Sequence, residues 1–89
     1  MAQATITVVN RLGLHARAAA KFVNLAKTFE STVTLAKGGE GVDGKSIMSV
    51  MLLAAPIGTE LELTVSGADE QEAIAALAAL VSDRFGEPD

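Results

Sequence analysis

The chain holds one histidine, and an arginine stands two places after it in His15-Ala16-Arg17. A neutral imidazole nitrogen is a nucleophile that works near neutral pH. A guanidinium pairs with phosphate oxygens through parallel N–H groups. Together they suit chemistry on an anion, above all a phosphoryl group. A second hydroxyl-bearing candidate, Ser46, heads the apolar run Ile47-Met48-Ser49-Val50-Met51-Leu52-Leu53. Each residue also has an ordinary structural role to weigh: a histidine beside a helix start as a cap or surface residue, a serine before a short helix as an N-cap. No carboxylate lies near His15 in sequence, and the chain has no cysteine. This argues against a hydrolytic triad, a thiolate site, a disulfide framework and a zinc centre, so neither metal nor cofactor is expected.

The distribution of charge supports an anion-handling end. Six of the seven basic residues (Arg11, Arg17, Lys21, Lys27, Lys37 and Lys45) lie at or before position 45. From Ser46 onward only Arg84 faces eight acids. The net charge of −4, without an exposed-aromatic pattern, argues against nucleic acid. There is no basic-then-apolar leader and no apolar run near the ~20 residues that span a bilayer. The expectation is a cytoplasmic domain over residues 1–89, with no membrane partner.

Positioning these groups requires a scaffold, and the hydrophobic pattern outlines one. Thr5-Ile6-Thr7-Val8-Val9 alternates as a half-buried strand, broken by Asn10 to Gly13. From Ala16 to about Lys27 there is no Gly or Pro, and Ala19, Phe22, Val23, Ala26 and Phe29 recur at helical spacing. Thr32-Val33-Thr34-Leu35 predicts a second strand, Gly38 to Gly41 a turn, and Val42-Asp43 a short returning strand. Ser46 caps a short helix ended by Pro56 and Gly58, in which Val50 and Leu53 face the core. Glu60-Leu61-Glu62-Leu63-Thr64-Val65 alternates as a strand. Asp69, with Glu72 in a capping box, opens a last helix buried through Ala73, Ile74, Leu77, Leu80 and Val81 and stopped by Gly86 and Pro88. The order βαββαβα predicts a largely antiparallel sheet with helices on one face.

This outline places His15 at the start of the first helix. The unpaired N–H groups of a first turn and the positive end of its dipole attract anions. Both they and Arg17 disfavour imidazolium and favour a phosphoryl dianion once it is attached. Gly13 frees the backbone just upstream.

The stretch Gly13-Leu14-His15-Ala16-Arg17-Ala18-Ala19-Ala20-Lys21-Phe22-Val23 resembles the active-site segment of the HPr family, the histidine-containing phosphocarriers of the bacterial phosphotransferase system. The resemblance covers essentially the whole chain. It implies an α+β open-faced β-sandwich, a four-stranded antiparallel sheet with three helices on one face. It implies that Enzyme I, charged by phosphoenolpyruvate, phosphorylates Nδ1 of His15 and that the group passes to an EIIA-type domain. Arg17 would stabilise the phosphate, and the backbone N–H of Ala16 would sit at the helix start. The carrier would be stoichiometric, without turnover of its own, and monomeric.

Lys45-Ser46-Ile47-Met48-x-Val50-Met51 is similar to the segment that HPr kinase/phosphorylase modifies in this family, which implies regulation at Ser46. A phosphate there meets the positive end of a helix and leaves the fold standing. The resemblance also implies a partner-binding surface of Ala20, Ile47, Met48 and Met51, with Val23 beside it; methionine suits such adaptable surfaces. Two residues depart from the family pattern: Ala18 replaces a usual proline early in the helix, and Ser49 replaces a frequent glycine. Sugar-system and nitrogen-related branches both fit. A non-transferring regulatory module controlled through Ser46 is the alternative, and a ferredoxin-like ligand-binding domain leaves the His-x-Arg start unexplained.

Overall fold

A computed structural model describes residues 1–88. Alternating β-branched and aliphatic residues form strand β1 (Ala2–Thr7). Helix α1 (Ala16–Ala26) follows, then strands β2 (Thr32–Ala36) and β3 (Val42–Asp43). The short helix α2 (Ile47–Met51), strand β4 (Glu60–Ser66) and helix α3 (Glu70–Ser82) complete the predicted order. A single 3-10 turn, Arg84–Gly86, comes after α3.

The strands form one antiparallel sheet in the order β1-β4-β2-β3. Register explains the one-sided core. Ile6 lies opposite Leu61 and Ala2 opposite Val65, while Leu35 and Val33 face Leu63 and Val65 from the other side. All of these side chains are buried. The alternate positions turn outward, where Thr5 Oγ1 donates to Glu62 Oε1 at 3.0 Å. The helices close the apolar face with Ala18, Ala19, Phe22, Val23 and Ala26 from α1, Val50 from α2, and Ala73, Leu77 and Val81 from α3. This is the open-faced sandwich expected from the sequence. No helix among the described residues is long and apolar enough to cross a membrane.

Four local expectations change. The first strand runs earlier than Thr5–Val9, because its pairing with β4 begins at Ala2 and ends at Thr7. Phe29, Ile74 and Leu80 are only partly buried, at the margin of the core. Asp69 makes no side-chain cap on its own helix. Its carboxylate instead accepts from the backbone N–H groups of Glu30 (2.9 Å) and Ser31 (3.0 Å) and from the Ser31 hydroxyl. These bonds, the Ser31 hydroxyl foremost, hold its pKa below the usual value. The capping-box half-bond belongs to Glu70, whose Oε1 accepts from Gly67 N–H at 3.1 Å. Finally, α3 stops at Ser82, ahead of Gly86 and Pro88. There the chain turns through positive φ at Arg84 and Phe85 and buries the Phe85 ring in the core.

Candidate functional site

The loop before α1 is built on Asn10. This residue is fully buried, and its Nδ2 donates to Gly13 carbonyl oxygen at 2.7 Å. Gly13 takes φ +69°, and a Cβ there would lie 2.6 Å from the Ala55 carbonyl oxygen, so only glycine fits. Leu14 N–H then donates to that same Ala55 oxygen at 2.8 Å. The two loops are thereby tied together, and His15 emerges from a held backbone.

His15 is the N-cap of α1, with extended backbone (φ −76°, ψ 178°). Its carbonyl accepts the first helical bond, from Ala19 N–H at 2.8 Å, while its side chain makes no cap bond. The first-turn N–H groups, Ala16 included, therefore keep their capacity for an external acceptor. The imidazole is half-buried beside an open cleft lined by Leu12, Leu14, Ala54, Ala55 and Pro56. Ala54 holds φ 48°, an uncommon value for a residue with a Cβ. Arg17 is exposed and, with Arg11, Leu12, Glu87 and Pro88, lines a neighbouring hollow of about 140 Å³.

The ring has a partner that sequence proximity did not reveal. His15 Nε2 hydrogen-bonds Glu87 Oε2, across 72 positions of chain. Glu87 Oε1 accepts from Asn10 Nδ2 at 3.0 Å. The Asn10 hydrogen bond is the largest influence lowering the Glu87 pKa; burial opposes it, and His15 and Lys21 add to it. Lys21 Nζ donates to the Phe85 carbonyl oxygen at 2.7 Å, pinning the turn that delivers Glu87. Among the described residues Nδ1 makes no hydrogen bond, so this is the ring nitrogen left open.

Ser46 occupies the N-cap of α2, and its Oγ accepts from Ser49 N–H at 3.3 Å. Neighbouring Lys45 is anchored through Nζ to the Phe29 carbonyl oxygen at 2.8 Å. Helices α1 and α2 pack on each other, which brings the two predicted segments to adjoining elements. Ile47, Met48 and Met51 are exposed, and Ala20 is half-buried. Val23 is fully buried and drops out of the surface; it belongs to the core with Phe22. Leu12, Leu52 and Ile57 are exposed apolar residues that the sequence pattern did not single out.

A model of the family described as "PTS HPr component phosphorylation site" matches residues 2–83. The chain belongs to the HPr family. The phosphocarrier protein HPr of Cupriavidus necator is 54% identical over 87 residues, covering 98% of each chain. The solved HPr-C-His of Thermoanaerobacter tengcongensis superposes with a TM-score of 0.95 at 43% identity, covering both chains fully. An HPr dimer from the same organism aligns with a TM-score of 0.78 at 44% identity, covering 98% of this chain and all of that one. The HPr fold therefore accounts for the sheet order and the three helices, with β3 and α2 between β2 and β4.

Proposed function

We propose that residues 1–89 act as one phosphoryl-carrier domain in which Nδ1 of His15 is the acceptor. The observation that carries the reading is the open helix start. His15 caps α1 without a side-chain bond, and its Nδ1 has no hydrogen-bond partner among the described residues. In the transfer, the Nδ1 lone pair forms a bond to phosphorus as the bond to the donor atom breaks, and the donor atom keeps the bonding pair. The Ala16 N–H and the Arg17 guanidinium are suited to the phosphoryl oxygens, because first-turn N–H groups and a planar guanidinium favour an anion. The reverse step on an acceptor protein uses the same groups. No second substrate is turned over, so the chain is a stoichiometric carrier and not an enzyme.

Membership of the HPr family supports a phosphotransferase-system pathway, with Enzyme I as donor and an EIIA-type domain as acceptor. The reading places the chain in the cytoplasm as a monomer, without metal or cofactor, and gives it no nucleic-acid partner. Ala20, Ile47, Met48 and Met51 serve as its docking surface. The test is incubation with Enzyme I and phosphoenolpyruvate followed by intact-mass measurement. One acid-labile phosphoryl group should appear and be absent in His15→Ala; no gain by the wild-type chain overturns the reading.

Ser46 is proposed as a regulatory site for HPr kinase/phosphorylase. Its Oγ lies at the start of α2, where an added phosphate faces N–H groups. ATP and the kinase should then add an acid-stable phosphoryl group that Ser46→Ala lacks.

A further inference from the structure

We infer that Glu87 is a positioning residue that sets the tautomer of His15, through a hydrogen-bond chain whose direction Asn10 imposes. The inference rests on the carrier reading of His15. It begins with the Asn10 amide. Nδ2 contacts the Gly13 carbonyl oxygen at 2.7 Å and Glu87 Oε1 at 3.0 Å, both acceptors. An amide turned the other way would aim its oxygen at two oxygens, so the donor end must face them. Its own Oδ1 is buried without a partner among the described residues, a cost the fold carries to keep this orientation.

Direction then passes along the chain. The Glu87 carboxylate accepts the Asn10 hydrogen bond at Oε1 and remains an acceptor at Oε2, which contacts His15 Nε2. An acceptor there requires the Nε2–H tautomer and leaves the lone pair on Nδ1, the nitrogen that has no other partner among the described residues. During transfer Nδ1 bonds phosphorus, Nε2 keeps its proton, and the positive charge that grows on the ring faces the carboxylate. No proton need leave the site. The carboxylate is held in place by the buried Phe85 ring and the Lys21–Phe85 bond. Among the described residues the other charges beside it are Arg11 and Arg17, which line the hollow next to Glu87.

The decisive variant is Glu87→Gln, which keeps size and hydrogen bonding but not symmetry. With Asn10 still donating, the glutamine oxygen faces Asn10 and its NH2 faces His15 Nε2. The ring must then accept at Nε2 and carry its proton on Nδ1, which blocks the nucleophile. Glu87→Ala removes the contact and leaves the tautomer to solvent. Long-range 15N–1H spectra of the unphosphorylated chain, at a pH where the ring is neutral, should show Nε2–H in the wild type and Nδ1–H in Glu87→Gln. The maximal rate of phosphorylation by Enzyme I should fall about threefold in Glu87→Ala and on the order of tenfold further in Glu87→Gln, with KM unchanged. A purely structural role predicts the opposite order, with glutamine the milder change. Glu87→Gln retaining Nε2–H, or transferring as fast as Glu87→Ala, overturns the inference. The spectra need no Enzyme I, so a wild-type chain that takes no phosphate removes the carrier reading while the tautomer result stands on its own.

Discussion

Two helix starts in this molecule are made from similar materials and left in opposite states. At α2, Ser46 folds its Oγ back to Ser49 N–H and satisfies its own helix. At α1, His15 makes no such bond, and its ring is turned to Glu87 instead. The first arrangement spends the cap residue on local structure. The second leaves first-turn donors available and holds the imidazole from outside the helix. A helix start stays open to an external anion when the residue that could cap it is recruited by something else.

The largest effect on this contrast should come from His15→Ala, which removes the proposed acceptor altogether. Phosphoryl transfer from Enzyme I should be abolished in the mass assay, while the chain still folds, losing the His15–Glu87 hydrogen bond but no cap bond. Arg17→Ala comes next. On the carrier reading the exposed guanidinium meets phosphate only during transfer, so its loss should lower the rate by roughly tenfold or more. Circular dichroism and thermal unfolding should match the wild type, and a parallel loss of stability would instead make Arg17 a structural residue.

Ser46→Ala should show the opposite profile. Losing the cap costs about 1 kcal/mol of stability by chemical denaturation. Transfer through His15 should persist at close to the wild-type rate, since α2 supplies no group to the ring. A large fall in transfer would mean that the two helix starts are coupled, which would sharpen the comparison in a different way.

Acid should separate them most gently. The Glu87 pKa lies below its ordinary value of 4.5, with the Asn10 hydrogen bond as the leading cause. A depressed folded pKa means that the stabilisation is present above the ordinary value and is lost as pH falls through the folded one. The difference in unfolding midpoint between wild type and Glu87→Ala should therefore be full at neutral pH and shrink as the medium becomes more acid than 4.5. The difference between wild type and Ser46→Ala should stay level, because neither Ser46 nor its Ser49 N–H partner titrates in that range.

Much of this was legible along the chain because its causes are local. Alternation in Glu60–Val65 decides which side chains of β4 can be buried, and the unbroken helical stretch after His15 decides where α1 begins. A histidine at a helix start beside an arginine is likewise a matter of adjacent residues, as is a serine before a short apolar run. Whole-chain resemblance supplied the reaction class and agreed with the fold observed here. Where a group's partner lies far off in sequence, the local pattern misassigned it. Asp69 reads as the cap of the helix it precedes, yet its carboxylate serves the backbone of Glu30 and Ser31, because packing α3 beside that loop offers three donors in place of one.

His15 shows the same division. Its place at the start of α1 and its neighbour Arg17 were settled by the order of residues alone. Its partner was not, since Glu87 stands 72 positions away, between the Gly86 and Pro88 that read as a stop. Only burial of Phe85, through a turn with three consecutive positive φ values (Arg84, Phe85 and Gly86), returns the chain to Asn10 and brings a carboxylate to Nε2. Periodicity and capping act over a few residues, so sequence placed the chain's one histidine at a helix start. Closing a long loop depends on the whole core, and tertiary structure decided which of its nitrogens is held and which is left open.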